Sequence, residues 1–189
     1  MATATSLHFT GNDEADGLLA REPLALMVGF VLDQQVPVQK AFSSPLELQR
    51  RLGGKLDAET IAGMESAKLE ELFAEKPALH RFPGTMARRT QDFARAVVSE
   101  YGGDVSKVWS EASDGDDLYR RLLDLPGIGE MKAKTIVAVL GKQLGVRPAG
   151  WEEVAPKHPT LGDVDSTEAL HEYQAHKRAM KAAHRAAKG

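Results

Sequence analysis

The 189-residue sequence predicts an all-α protein. Three observations carry that expectation. Apolar residues recur three and four positions apart in nearly every segment, strand-like alternation is missing throughout, and the breaks between segments carry helix start and stop signals.

Residues 22–33, EPLALMVGFVLD, are apolar on most sides, which marks a central buried helix, and Pro23 sits in its first turn, where a missing N–H costs nothing. A QQVP break follows. Residues 38–43 and 45–52 read as two short helices divided at Ser43-Ser44-Pro45, the second closed by Gly53-Gly54. Asp57 and Ser66 are placed to cap the next two helices, the latter with Leu69, Leu72 and Phe73 on one side. Residues 85–101 carry Phe93, Ala96, Val97 and Tyr101 at helical spacing and end at Gly102-Gly103. Asp116 or Asp117 can start a helix that buries Leu118, Leu122 and Leu123, and residues 130–144 form the next, with Ile136, Val137, Leu140 and Leu144 inward. Three prolines and three glycines make residues 145–165 a predicted loop. Asp165 followed by Glu168 fits a capping pair for a basic terminal helix from about Ser166 to Ala186. The first and last helices are expected to lie together.

Composition narrows the function. A chain of this length buries about 70% of its unfolded surface without a staple. The absence of cysteine excludes disulfides, thiolate zinc sites, cysteine-ligated iron-sulfur clusters and a cysteine nucleophile, and favours an intracellular, cytoplasmic setting. No apolar run reaches the roughly 20 residues of a membrane span, and no signal peptide is visible. The six histidines show no i, i+4 pairing, and neither a P-loop nor a G-x-S-x-G elbow occurs. A net charge of −3 argues weakly against nucleic acid, but the charge is uneven. Lys177, Arg178, Lys181, Arg185 and Lys188 face no acid after Tyr173, and Lys132, Lys134, Lys142 and Arg147 outnumber Glu130. Solvated helix faces are the plain alternative for both patches.

The stretch LPGIGEMKAKTIVAVLGKQLG, residues 125–145, joins two helices through a bend of unusual form. Amides at the start of the second helix lack partners, and the helix dipole makes them attractive to an anion. Glycine at 127 and 129 permits positive φ and removes the β-carbons that would keep a phosphate away, Ile128 can anchor the bend from beneath, and Lys132 and Lys134 add charge. A tight helical hairpin with no ligand is the plain alternative.

LPGIGEMKAKTI resembles the helix-hairpin-helix of the HhH-GPD superfamily of base-excision DNA glycosylases, the group of endonuclease III and the helical 3-methyladenine glycosylases. LALMVGFVLDQQVPVQKAF (24–42) is similar to the early helix and glutamine turn of that superfamily, and FPGTMARRTQDFARAV (82–97), with Arg88 and Arg89, is a third match. The resemblance spans about residues 20–145 and implies a two-lobed helical fold over one unit, 1–189. The central lobe would cover about 35–130, with the hairpin at 117–144, and residues 1–34 and 145–189 would pack as the second. It implies double-stranded DNA in the cleft, phosphates on Gly127, Ile128 and Gly129, and Gln35 filling the gap of a flipped nucleotide with Gln34 beside it. A sodium or potassium ion at the carbonyls of Leu125 to Gly129 is implied too; an iron-sulfur cluster is not. A monomer is expected.

The same resemblance frames the chemistry. The position of the lyase lysine is Met131, which implies a monofunctional glycosylase, and Lys132, turned by roughly 100 degrees, is expected to point elsewhere, toward phosphate or water. The family's aspartate falls about twenty residues after the hairpin. That window, GVRPAGWEEVAPKH, puts Ala149, Gly150 and Trp151 there, with Glu152 and Glu153 the nearest acids. Asp165, in a Val-Asp-Ser context, matches if about fifteen residues loop out between; a simple N-cap is its other reading. Asp165 and Glu152 are thus the candidate catalytic acids. Trp151 is expected to pack in the loop or core rather than stack on a base. The expectation is an enzyme hydrolysing the N-glycosidic bond of a damaged base, the alternatives being a DNA-binding protein that has lost its acid and a helical interaction domain.

Overall fold

The computed structural model describes residues 3–189, which form eleven α-helices and one 3-10 turn with no strand among them. An additional helix ahead of the expected ones, α1 (Asp13–Arg21), is capped by Asn12, which accepts from the Ala15 amide at 2.9 Å. Buried Asp16 on this helix accepts hydrogen bonds from the Phe9 amide and from the amide and hydroxyl of Thr10, folding the preceding segment onto α1. Helix α2 (Pro23–Leu32) is the expected central element: every residue from Leu24 to Leu32 is buried.

The two short helices foreseen at 38–52 are one, α3 (Val38–Arg51), with Pro45 inside it. Packing overrides the proline. Interior Pro costs about 3 kcal/mol, but Ala41, Phe42, Leu46 and Leu48 are all buried on either side of it, and each large side chain is worth roughly 1.5–3 kcal/mol. Phe42 receives the rings of Phe9 and Phe30 edge-on at 5.1 and 5.0 Å. The Ser44 hydroxyl, expected at a break, bonds instead to the Lys40 and Leu79 carbonyls.

Helices α4 (Ala58–Gly63) and α5 (Ser66–Ala74) pack on α6 (Pro83–Tyr101), which ends at Gly102 with φ +60° as foreseen. Asp57 caps α4 through the Thr60 amide. Ser66 does not cap α5: it is the first helical residue, and its hydroxyl donates to Gln91, a buried amide that in turn holds the Ile61 and Met64 carbonyls. A short α7 (Lys107–Ser110) leads to α8 (Gly115–Leu123). The cap of α8 is Asp114, not Asp116 or Asp117, because the chain must turn early where Gly115 meets the Gly150 backbone. A β-carbon on Gly115 would lie 2.7 Å from that backbone.

Residues 145–165 are mostly loop, as predicted, but an ordered one interrupted by two short elements. After α9 (Glu130–Gln143) they form α10 (Trp151–Val154) and a 3-10 turn (Leu161–Asp163) closed by a reciprocal Thr160–Asp163 cap. Their order comes from contacts distant in sequence. The Gln143 amide donates to the carbonyls of Leu161, Gly162 and Val164, and Trp151 packs its ring over Gly141, bearing out a packing role. The last helix, α11 (Thr167–Lys188), is capped by Ser166 through the Ala169 amide; Asp165 lies one residue short of that role. Paired amides of Gln39 and Gln174 tie α11 to α3, while α1 rests on α2 and α3. One continuous apolar core joins all of these elements.

Gly162 tests this account, since a β-carbon there would come within 2.8 Å of the Ala138 backbone on α9. Gly162→Ala should cost about 1–3 kcal/mol in urea unfolding; an unchanged midpoint would show that the 3-10 turn is not stapled to α9.

Candidate functional site

The bend between α8 and α9 is built as a surface platform. Leu125 and Ile128 are buried and hold it down, whereas Gly127 and Gly129 are exposed. Gly127 needs its glycine: φ is +84°, and its α-carbon sits over Val31 of α2, 3.5 Å from where a β-carbon would stand. Gly129 differs from expectation. Its φ of −90° is open to any residue, and a β-carbon would meet nothing within 4 Å, so the space it leaves lies outside the protein. It is the N-cap of α9 and carries no capping side chain, which leaves the first-turn amides of a 14-residue helix facing outward. Among the described residues, no backbone hydrogen bond reaches the Pro126, Gly127 or Ile128 carbonyls.

The glutamine turn lies beside this platform. Gln35 is exposed and holds φ +57°, the one non-glycine residue with positive φ among those described, a conformation that costs about 1–2 kcal/mol. Buried His80 maintains the turn. Its Nε2 lies 3.1 and 3.0 Å from the carbonyls of Leu32 and Gln34, and its Nδ1 accepts from the Phe82 amide. Carbonyls only accept and an amide only donates, so the network requires the neutral Nε2–H tautomer. Burial lowers the His80 pKa in the same direction. The Gln34 side chain donates to the Val31 carbonyl and accepts from Arg89.

Two concavities meet here. An open groove is lined by Gln34, Arg89, Gly127, Gly129, Glu130, Met131 and Lys132. A deeper cavity of about 480 Å³ shares Met131 and Lys132 with it and runs between the end of α2, α9, the 3-10 turn and α11. Its walls are largely apolar (Phe30, Pro159, Leu161, Tyr173, Met180), with His158, His176, Asp33, Lys132 and Lys177 among them. Burial pushes the Asp33 carboxyl up from its ordinary range against the opposing pull of Lys177 and Lys132, and burial lowers the Lys132 ammonium against the pull of Asp33. Tyr173 is likewise raised by burial, and Lys177 lies 5.8 Å above its ring.

The structure thus gathers Gln34, Arg89, Gly127, Gly129 and Lys132, with Gln35 adjoining. Lys132 is half-buried and its long side chain lines groove and cavity alike, while Met131 is 60% exposed. Arg88 stands outside, paired with Glu70 at 2.6 Å, and Lys134 lies over the Tyr119 ring of α8. Asp165, Glu152 and Glu153 are exposed and line neither concavity. Sequence reading missed Asp33 because it looked like the polar end of an apolar helix. Its signal was an acid at a helix C-terminus, where the dipole disfavours one.

A helical fold with a glycine bend of outward amides beside a strained glutamine turn and an apolar cavity defines a helix-hairpin-helix protein that handles DNA. The profile of one such family, described as HhH-GPD superfamily base excision DNA repair protein, matches residues 28–188, and the chain belongs to that superfamily. The match runs through α10 and α11, so the segment after residue 145 is part of the family unit. No curated protein and no solved structure shows significant similarity to the chain.

Gly129→Asp separates folding from DNA contact. An Asp at this N-cap should raise stability by a few tenths of a kcal/mol, roughly 0.2–0.5, yet it occupies the amides and repels phosphate, so DNA affinity measured by anisotropy should fall; equal affinity would reject the phosphate contact. His80 predicts a pH effect. Its folded pKa is depressed, so its contribution to stability is present above the unfolded value of about 6.5 and is lost as pH falls through the folded value. Its imidazole NMR titration should have a midpoint below about 6.5, and a midpoint above it would contradict the assigned tautomer network.

Proposed function

We propose that the chain is a monofunctional DNA glycosylase that hydrolyses the N-glycosidic bond of a damaged base in duplex DNA. The observation that carries this reading is the placement of the cavity, which opens from the hairpin groove through the shared residues Met131 and Lys132. Its volume lies within the roughly 300–1,000 Å³ of small-ligand sites. A phosphate held by the amides of α9, with Arg89 and Lys132 nearby, would fix the strand at the cavity mouth. Gln35, already in a left-handed conformation, would fill the gap left by the extruded nucleotide, offsetting part of the few kcal/mol that extrusion costs. A sodium or potassium ion on the carbonyls of the Leu125 to Gly129 bend would add positive charge beneath the phosphate. Met131 has no amine to attack the sugar, which leaves water as the nucleophile. The protein would act as a monomer on its duplex.

A second reading, a DNA-binding protein without turnover, is favoured by one observation: Asp165 and Glu152 stay outside the cavity.

Turnover decides between them. The protein should create abasic sites in at least one duplex of a set carrying uracil, alkylated purines, hypoxanthine or oxidised guanine, without nicking the strand. DNA binding without abasic sites in any of them would support the second reading. In both cases affinity should drop steeply between about 50 and 200 mM salt, as counterion release at phosphate contacts requires.

A further inference from the structure

The acid of the reaction need not come from the segment after the hairpin. We propose that the carboxylate of Asp33, at the opposite wall of the cavity, stabilises the sugar cation and accepts the proton of the attacking water, an inference that rests on the glycosylase reading above.

Asp33 is the one carboxylate that lines the cavity among the described residues. It caps the C-terminus of α2, where its amide bonds to the Phe30 carbonyl. Its side chain accepts no hydrogen bond and forms no ion pair among the described residues, although Lys132 and Lys177 are close enough to act on it electrostatically. Nothing in the fold needs an acid there. A half-buried carboxylate without donors is costly, and the negative end of the α2 dipole adds to the cost. Asp16 provides the contrast: it is buried too, but three hydrogen bonds give it a structural role. A titratable group shifted by burial inside a cleft, and destabilising where it stands, is the usual signature of a functional acid.

Its position also fits the geometry of extrusion. Asp33 and Gln35 are two residues apart, a span of at most about 7 Å. With Gln35 in the vacated gap, the sugar of the displaced nucleotide is brought to the cavity mouth, within reach of Asp33. Met131, at the start of α9, faces the same space from the other side.

The step balances with one water. The C1′–N bond breaks first, its electron pair leaving with the base, and the oxygen of the water then bonds to the cationic C1′. Asp33 takes the proton from the water and later releases it to solvent, while the departing base nitrogen takes a proton from solvent. Before water adds, the ionised carboxylate faces the positive charge that develops on the sugar ring, where fixed charge is most effective. Burial, which raises the Asp33 pKa above its ordinary range, also makes the carboxylate a better proton acceptor for this step.

The test uses the full chain and Asp33→Asn, which keeps the shape and removes the charge. Its first arm needs no turnover: anisotropy with a duplex holding a cationic pyrrolidine abasic analogue and with one holding the neutral tetrahydrofuran analogue. The wild type should bind the cationic duplex about tenfold more tightly. D33N should lose that preference while keeping its affinity for the neutral duplex within about twofold and melting no lower than the wild type, since it buries no charge. A wild type without the preference, or a D33N that retains it, overturns the assignment. In the second arm, on a duplex in which the wild type makes abasic sites, D33N should slow single-turnover release by about 100-fold or more, while D165N should not. Release by D33N at the wild-type rate removes Asp33 from the mechanism and leaves the glycosylase standing. A wild type that prefers the cation yet releases no base from any duplex overturns the glycosylase reading instead, and leaves the carboxylate in its place.

Discussion

The joint between the end of α2 and the hairpin bend is the constraint on which the rest depends. Because α2 is buried on all sides, its chain can leave the core only at Asp33. Gly127 lies against Val31, where a β-carbon would stand 3.5 Å from the valine, about half a turn before that exit. This contact fixes the distance between two features that are remote in sequence, the glutamine turn and the amides of α9. His80 locks the turn from the other side, through carbonyls at both Leu32 and Gln34. The groove is therefore anchored to the core beneath it, although every residue that lines it is at the surface or only half-buried.

Electrostatics around this joint are organised by burial more than by ion pairs. Of the cations expected to meet DNA, Arg88 is already satisfied by Glu70, and Arg89 is oriented by Gln34. Arg89 and Lys132 line the groove itself, one from α6 and one from α9, so positive charge converges where the helix dipole of α9 is also positive. The net charge of −3 is spread elsewhere, which is why the bulk value misleads about the partner of a base-excision repair protein. Inside the cavity the pattern reverses: Asp33 faces Lys132 and Lys177 without contact, so each charge is exposed to the other's field and to whatever enters between them.

Much of the fold was legible because it is local. Helix α2 announces itself by unbroken hydrophobicity, α6 by its spacing and its closing glycines, and the hairpin by the Pro-Gly-Ile-Gly bend. The errors came where distant contacts outweigh local signals. Pro45 reads as a break, but burial of Phe42 and Leu46 on either side carries the helix through it. The segment 145–165 is the loop it reads as, apart from α10 and the 3-10 turn, which form because Gln143 and the close approaches at glycines 115, 141 and 162 staple it to α8 and α9. Asp165 reads as a cap or a catalytic acid, and it stands one residue before the cap and outside the cavity.

The sequence by itself determined the helical class and the bend at 127–129 with its outward amides, since each depends on residues within one or two helical turns of one another. Only the tertiary structure decided which side chains share the cavity. Asp33, Lys132 and Tyr173 come from three parts of the chain and meet because α11 is held to α3 by the Gln39–Gln174 pair. No periodicity encodes such a meeting; it follows from the way buried faces choose their neighbours, and that choice is made by the whole core at once.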